Sequence, residues 1–303
     1  MKKSFLITED FVDSRVDKWF KRNICKVPQS LIEKNLRKGN IKINGAKVKS
    51  SYKVKLNDEI NIYNLNLIKD KNGQIKKKYL PGKKELTEFS SLFVENNNNF
   101  AVINKPPGIA VQGGTKTKKN IIDILRNSSE FKDYKPFAVH RIDKETTGLL
   151  IVAKNRKFAQ LFTSLFRIRK IHKVYLAIVL GELQKTKGRF IDELISFEGN
   201  KKIINKAITD FSVIDSNTNY TFLKLSPLTG RKHQLRKQLL IHGHPVLGDN
   251  KYRINNFIRS KKNFLMLHAY KINFSIDNIK YNFVAEPPLH FKSTLSEKRL
   301  KNF

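Results

Sequence analysis

The sequence predicts an α+β protein in which a small α/β domain precedes a large domain with a mixed, mainly antiparallel sheet. Three observations support this prediction. After about residue 91, strand patterns outnumber helical ones and come in hairpin-like runs. Before residue 63, two short helical patterns precede a small hairpin pattern. A lysine-rich stretch with little apolar content, about residues 64–90, separates the two regions and is typical of a flexible basic linker.

The charge balance indicates a polyanionic partner. The 303 residues include 60 Lys and Arg against 26 Asp and Glu, which gives a formal net charge of +34 and a pI near 10.1. Such an excess favours nucleic acid first and an anionic membrane surface second. Because the many Asn, Lys and Ile residues indicate an AT-rich genome, part of this excess is expected to be an ordinary solvated surface.

Cysteine usage and hydropathy indicate a cytoplasmic protein. The single cysteine, Cys25, excludes an internal disulfide and cysteine-based metal sites, and it fits a reducing compartment. The N-terminal residues have too short an apolar run for a signal peptide, and no run approaches the roughly 18 apolar residues that span a bilayer. We therefore expect no membrane contact, and we expect a monomer because no coiled-coil pattern occurs.

The small domain is predicted to begin with two helices. Apolar residues at helical spacing predict the first helix, with Asp13 or Ser14 as its cap. Ser30 and Glu33 have the spacing of a capping box for the second helix, and Gly39 is a natural stop.

A small sheet is predicted to complete this domain, which spans residues 11–63. Asn44-Gly45 is typical of a type I′ turn and joins two alternating runs at residues 41–43 and 47–49. Residues 59–63 predict a further strand.

Cationic side chains recur along the two predicted helices. A helix pair lined in this way can lie on phosphates, although an ordinary solvated helix face is the alternative. The candidate RNA contacts of this domain are Arg22, Lys34, Arg37 and Lys38.

Several short motifs cover most of the small domain: Arg15-Val16-Asp17, Val27 to Ile32, Leu36 to Gly39, Ile43-Asn44-Gly45 and Asp58-Glu59-Ile60. Together they resemble the small RNA-binding module of the ribosomal-protein-S4 type. The resemblance implies that this domain binds RNA, and the linker would let it search for RNA while the large domain acts.

The large domain, about residues 91–303, is organised around residues 138–153. Polar residues there lead into an apolar run rich in branched side chains, which is typical of a loop that enters a buried strand. Arg141 and Asp143 place a guanidinium and a carboxylate two residues apart where the chain becomes buried. An ordinary salt bridge at a strand end is the alternative interpretation.

The other elements of the large domain follow from periodicity and turn residues. Residues 185–205 are polar and are predicted to be an irregular excursion. The predicted elements are a strand–turn–strand at 93–111, helices at 121–125 and 155–168, strands at 173–179, 207–214 and 220–225, a turn into a helix at 229–240, and a strand pair at about 270–284.

Further motifs occur in a fixed order along the large domain. They are Asn104-Lys105-Pro106, His140-Arg141-Ile142-Asp143, Thr147-Gly148-Leu149-Leu150, Lys173-Val174-Tyr175-Leu176-Ala177, Thr229-Gly230-Arg231, His233-Gln234-Leu235-Arg236, Gly243-His244-Pro245, Gly248-Asp249 and Leu267-His268-Ala269. Their order resembles that of the RluA/RluC-type pseudouridine synthases. Residues 108–114 and the helix start at Val27-Pro28 are most similar to the RluC group, which acts on 23S (large-subunit) rRNA. Thr147 departs from the usual Ser but keeps a hydroxyl.

This resemblance implies a site that isomerises uridine without a metal or an organic cofactor, since the reaction gains no atom and changes no redox state. The resemblance assigns the carboxylate to Asp143, as a nucleophile at the sugar or as a base at carbon 2′. It pairs Asp143 with Arg236, stacks Tyr175 on the target base and places Arg141 in the space that the base leaves. The remaining predicted RNA contacts are Lys105, Arg231 and His233.

Other interpretations remain open for these residues and for the whole chain. Without the motifs, Tyr175 is equally well a core aromatic and Arg236 a helix-surface cation, and the histidines at 140, 233 and 268 are taken as structural. A non-catalytic factor that binds rRNA during ribosome assembly, or a synthase acting on other RNA such as tRNA, is the alternative function. A metal-dependent nuclease is disfavoured because acidic residues near the motifs are sparse. The expected partner is 23S rRNA or a pre-ribosomal particle rather than DNA.

Overall fold

The computed structural model describes residues 2–25, 27–63, 79–113, 119–198, 201–254 and 264–301. The chain divides into two compact units, Met1–Lys77 and Lys78–Phe303. Most of the predicted linker, residues 64–78, lies outside the described residues, as does Gly114 of the stretch that is similar to the RluC group. Among the described residues, no helix is long and apolar enough to cross a membrane.

The first unit packs two helices on a three-stranded antiparallel sheet. Strand β3 lies between β1 and β2, and Phe20, Ile32 and Ile60 are fully buried in the core. A 3-10 turn covers Glu9–Phe11. In chain order the elements are β1 (Lys2–Leu6), α1 (Val16–Asn23), α2 (Gln29–Lys38), β2 (Ile41–Ile43) and β3 (Glu59–Tyr63).

The helices of the first unit occur where the sequence predicts them, but their caps differ. Pro28 occupies the N-cap of α2, so the predicted capping box at Ser30 and Glu33 does not form. The Ser14 hydroxyl donates to the Phe11 carbonyl instead of capping α1. Gly39 ends α2 in the left-handed conformation, with φ at +80°, as its position predicts.

The sheet of the first unit differs from the predicted hairpin. Asn44 and Gly45 form the tight turn, with φ at +47° and +78°. Residues 47–49 form no strand, because Ile43 makes only an isolated bridge to Ala46 and β2 pairs with β3 instead. The sequence does not predict strand β1, because its side chains are mostly exposed and show no alternation of buried and exposed positions.

The second unit is an α+β fold on a ten-stranded mixed sheet, as the sequence predicts. The strand order is β4-β5-β7-β12-β8-β11-β10-β9, with β13 paired to β12 and β6 to β7; the β7–β12 pair is parallel and the other paired strands are antiparallel. The elements are α3 (Lys83–Ser90), β4 (Phe93–Asn96), β5 (Phe100–Lys105), α4 (Ile121–Leu125), β6 (Phe137–Ala138), β7 (Thr147–Ala153), α5 (Arg156–Arg167), β8 (His172–Leu180), β9 (Lys187–Glu198), β10 (Lys201–Asn217), β11 (Tyr220–Pro227), α6 (Gln234–Ile241), β12 (Leu267–Ile276), β13 (Ile279–Val284) and α7 (Leu289–Glu297).

Two parts of the second unit correct the sequence predictions. Residues 83–90, which were predicted as the end of the linker, form α3, because Phe89 and Leu86 pack into the core. Residues 185–205, predicted as an irregular excursion, lie largely in the long β9–β10 hairpin. This hairpin forms the sheet edge, where polar residues alternate with exposed apolar ones such as Ile191, so the burial pattern of a strand is weak there.

Strand β7 carries the loop of residues 139–146 into the core. All seven of its residues are buried. Gly148 has φ at +104°, and a Cβ at this position would overlap the backbone of Ala269 on β12. The glycine therefore lets β7 and β12 approach closely, which fixes the end of the loop that holds Asp143.

His268 connects these two strands from the inside. Its Nε2 donates to the Ala285 carbonyl at 2.8 Å, so its Nδ1 accepts from the Thr147 hydroxyl, also at 2.8 Å. Thr147 thus keeps the hydroxyl of the serine that is usual in the similar family, and this hydroxyl binds His268. Burial lowers the pKa of His268 to about 4, which keeps the ring neutral.

Replacing His268 by Gln is expected to reduce the loss of stability in mild acid. A histidine with a folded pKa of about 4 and an unfolded pKa near 6.5 contributes stability above pH 6.5 that is lost as the pH falls toward 4. At pH 5 this loss is about 2 kcal/mol in the wild type. Urea unfolding at pH 7.5 and pH 5 measures it, with the exposed His172→Gln as control. Equal pH dependence in wild type and His268→Gln would contradict the assignment.

Candidate active site

The second unit contains a cleft of about 980 Å³. Residues from three segments, 140–146, 166–175 and 226–236, line it together with Asp210 and Leu267. Cationic side chains outnumber acidic ones along its walls, where the carboxylates are Asp143 and Asp210. A concave site with such a surplus of positive charge attracts a polyanion. The cations that line it are Arg141, Arg167, Arg169, Lys173, Arg231, Lys232 and Arg236.

Asp143 and Arg236 meet in this cleft, although they lie 93 residues apart in the chain. The Arg236 Nη1 donates to Asp143 Oδ2 at 3.0 Å. The Arg236 side chain is 9% exposed and that of Asp143 is 20% exposed, so the carboxylate remains open to the cleft. A charge-assisted hydrogen bond of this kind orients the carboxylate.

Asp249 holds the other side of the same guanidinium. Arg236 Nε and Nη2 donate to its two oxygens at 2.6 and 2.7 Å, and the Asp249 side chain is fully buried. The backbone N–H groups of Lys251 and Tyr252 also donate to Asp249, and the Tyr252 ring lies 5.0 Å from the guanidinium carbon. Arg236 is therefore held from three directions, with one N–H directed at Asp143.

The charges of this cluster stabilise one another. Burial alone would lower the pKa of Arg236, but its hydrogen bonds to Asp249 and Asp143 and their charges raise it above the ordinary value. Burial likewise opposes ionisation of Asp249, and Arg236 together with the backbone donors holds the Asp249 pKa below its ordinary value. Both groups are consequently charged at neutral pH.

Tyr175 and Arg141 line the same cleft as Asp143 and Arg236, so the four residues predicted as catalytic come together. Tyr175 lies on β8, half-buried, and packs against the core on both sides. Burial, and then the charge of Asp143, raises the pKa of the Tyr175 phenol, which stays protonated. Arg141 is exposed to the cleft.

His233 and Arg231 also lie at the cleft wall, in the turn that precedes α6. His233 has a left-handed backbone with φ at +55°, which directs its Nε2 to a point 3.6 Å from Asp143 Oδ1. Its Nδ1 is 2.9 Å from the Tyr252 hydroxyl. Burial lowers the pKa of His233 more than the Asp143 charge raises it. Arg231 is exposed.

The predicted RNA contact at Lys105 is corrected by the structure. Lys105 is fully buried, and its ammonium donates to the carbonyls of Pro106, Ile109 and Lys144 at 2.8, 3.1 and 3.0 Å. An ammonium whose three hydrogens are all used inside the protein has none left for a phosphate. Lys105 instead ties the turn after β5 to the loop that carries Asp143.

Two contributors to the site have no role assigned in the sequence analysis. Asp249 appears there only within the Gly248-Asp249 motif, and Tyr252 does not appear at all. Asp249 and Tyr252 follow Arg236 by 13 and 16 residues and lie in an irregular turn. No periodic sequence pattern therefore predicts their contacts with Arg236. His140, by contrast, is engaged in the interior: its Nε2 accepts from the Ile151 N–H, and burial lowers its pKa to about 3. Among the described residues, no group of three or more His, Cys, Asp or Glu is arranged to hold a metal ion.

Comparisons with known proteins show what the whole chain is similar to. A model of a family described as RNA pseudouridylate synthase matches residues 99–240. The ribosomal large subunit pseudouridine synthase C of Buchnera aphidicola subsp. Baizongia pistaciae is 32% identical, covering 94% of this chain and 93% of the relative. A protein of the same name from Rickettsia bellii is 32% identical, with 92% and 96% covered. Among solved structures, the human protein named RNA pseudouridylate synthase domain containing 4 is similar, with a TM-score of 0.63 and 26% sequence identity. The alignment covers 71% of this chain and 96% of the human chain.

Proposed function

The chain belongs to the RNA pseudouridine synthase family, and we propose that it converts uridine to pseudouridine in the RNA of the large ribosomal subunit. The family makes it an isomerase. The substrate is proposed from the bacterial relatives, which carry the large ribosomal subunit in their names and match over nearly the whole chain. The observation that carries the proposal is the Asp143–Arg236 pair, open to a strongly cationic cleft.

The reaction breaks the N-glycosidic bond, turns the base and joins its carbon 5 to carbon 1′ of the ribose. In the proposed mechanism Asp143 acts at the ribose, as nucleophile at carbon 1′ or as base at carbon 2′. Arg236 orients this carboxylate throughout, because its own position is fixed by Asp249.

The target base must leave its stack before it can enter the cleft, which costs a few kcal/mol. The neutral Tyr175 ring offers a surface on which the base stacks, contributing roughly 1–3 kcal/mol. Arg141 is exposed and lines the cleft beside Asp143, and in the proposal its side chain enters the space that the base leaves. Arg231 and Lys232 supply positive charge for the backbone of the same strand.

For the first unit we propose RNA binding of the S4 type within residues 11–63. Its predicted contacts, Arg22, Lys34, Arg37 and Lys38, are all exposed on α1 and α2. Lysine and arginine on a helix pair bind phosphates without reading the base sequence. We further propose that the enzyme acts as a monomer in the bacterial cytoplasm.

Pseudouridine mapping tests the proposed function. The full-length protein is incubated in EDTA with unmodified large-subunit rRNA, with small-subunit rRNA and tRNA in parallel. New pseudouridines in large-subunit rRNA are expected. Modification confined to tRNA or small-subunit rRNA would overturn the proposed substrate, and RNA binding without any pseudouridine would favour a role in ribosome assembly. Activity that EDTA removes would contradict the metal-free mechanism.

A further inference from the structure

The cleft contains a cation, Lys173, that none of the described residues pairs with an opposite charge. Lys173 lies on β8, two residues before Tyr175, so both side chains point to the same face of the strand, and both line the cleft. Within the part of the chain that the structure describes, the Lys173 ammonium has no hydrogen bond or ion pair. The Lys173 side chain is half-buried, and its Nζ lies 4.0 Å from the position that a Cβ atom on Gly230 would occupy.

Other buried cations of this unit are compensated in ways that Lys173 is not. Lys105 donates to three carbonyls, and Arg236 is paired with two carboxylates. The Lys154 ammonium lies 4.6 Å from the centre of the Tyr134 ring and 5.4 Å from that of Phe131. A charge that is partly removed from water without a partner is unfavourable. Burial accordingly lowers the pKa of Lys173, with no carboxylate acting against it.

Because the Lys173 ammonium lines the cleft without a described counter-charge, we propose that it binds a backbone phosphate of the RNA. This phosphate belongs to the strand that carries the target uridine and lies beside the base stacked on Tyr175. This inference rests on the proposed function of the cleft. Residues two apart on a strand are separated by roughly 6.6 Å, so a base at Tyr175 and a phosphate at Lys173 belong to one short stretch of nucleotide chain.

No described residue of the free protein pairs with the Lys173 ammonium, and bound RNA would provide the missing partner. A phosphate supplies the missing negative charge and takes the place of water around the ammonium. Lys173 thereby contributes to substrate binding, and its unpaired state costs stability until RNA is bound. A purely structural lysine would show the opposite behaviour, since its removal would destabilise the free protein.

Salt-dependent RNA binding by the full-length protein tests this role. The probe is unmodified large-subunit rRNA, and the variants are Lys173→Met, Lys173→Arg and, as control, Lys224→Met. Lys224 is an exposed strand lysine that does not line the cleft. Lys173→Met is expected to bind about tenfold more weakly and to lower the slope of log affinity against log salt by about 0.7 to 1. Lys173→Arg keeps most of the slope, and Lys224→Met leaves it unchanged.

Thermal unfolding and pseudouridine mapping distinguish a failure of the inference about Lys173 from a failure of the proposed function. Lys173→Met is expected to have a Tm at least as high as that of the wild type, because an unpaired half-buried charge is removed. A lower Tm with an unchanged salt slope would give Lys173 a structural role and overturn the inference. A wild type that forms no pseudouridine in any RNA would overturn the proposed function itself, whereas an active wild type with an unchanged Lys173→Met slope overturns this inference alone.

Discussion

Asp143→Asn is expected to lower pseudouridine formation by about 10⁴-fold or more while the protein remains folded. The amide keeps the size of the side chain but is neither a nucleophile nor a base. Asp249 continues to hold Arg236 on two of its nitrogens, so the guanidinium stays in place. The loss is therefore assigned to the chemistry of the carboxylate rather than to a disturbed cleft. Single-turnover pseudouridine formation, with RNA affinity measured in parallel, checks this expectation.

Asp210→Asn is the matched control for this change. Asp210 also lines the cleft, but its carboxylate is bound by both Nε and Nη2 of Arg189 at 2.5 and 3.1 Å. Its replacement removes one negative charge from the same cavity without touching the Asp143–Arg236 pair, so most of the activity is expected to remain. A similar loss in both variants would mean that the charge of the cleft, and not Asp143 itself, controls the reaction.

The sequence predicted those parts of the fold in which burial leaves a periodic or continuous apolar pattern. Strand β7, buried along its whole length, and the amphipathic α5 follow from such patterns. The β9–β10 hairpin does not, because a sheet edge with two partly exposed faces has no strong alternation. Helix α3 lies in a charged, lysine-rich neighbourhood, and it packs into the core through Leu86 and Phe89.

At the site, the sequence predicted which residues meet but not how they are held. Asp143, Tyr175 and Arg236 were assigned through the family resemblance, and all three line the cleft. The burial of Lys105 was not predictable, since lysine is mostly exposed and its motif does not report where the ammonium points. The support of Arg236 by Asp249 depends on a turn whose conformation only the folded chain defines.

Because Asp249 holds Arg236 in place, Asp249→Asn is expected to destabilise the second unit by about 3–5 kcal/mol. Asp249 is fully buried and Arg236 is nearly so, and removing one partner leaves the other charge buried without compensation. The pKa of Asp249 is lowered in the folded protein, so this stabilisation is complete above its ordinary value near 3.8 and is lost as the pH falls through the lower folded value. Urea unfolding at pH 7.5 therefore measures the full effect.

Asp210→Asn again provides the comparison for stability. The Arg189–Asp210 pair has similar bidentate contacts, but its side chains are 54% and 39% exposed. An exposed ion pair contributes at most about 1 kcal/mol, so this variant is expected to lose far less than Asp249→Asn. Equal losses in the two variants would show that burial does not set the strength of the Arg236–Asp249 pair.

A double variant separates the structural role of this pair from its role in the reaction. Replacing both partners of a buried ion pair by apolar residues of similar volume is often neutral or stabilising, so Arg236→Met with Asp249→Leu is expected to unfold at higher urea than Asp249→Asn. Its activity is nevertheless expected to be lost, because Asp143 then has no guanidinium to orient it. Recovery of activity together with stability would show that Arg236 serves only the fold. Recovery of stability alone would show that a buried ion pair is retained here, despite its desolvation cost, because the reaction needs the cation.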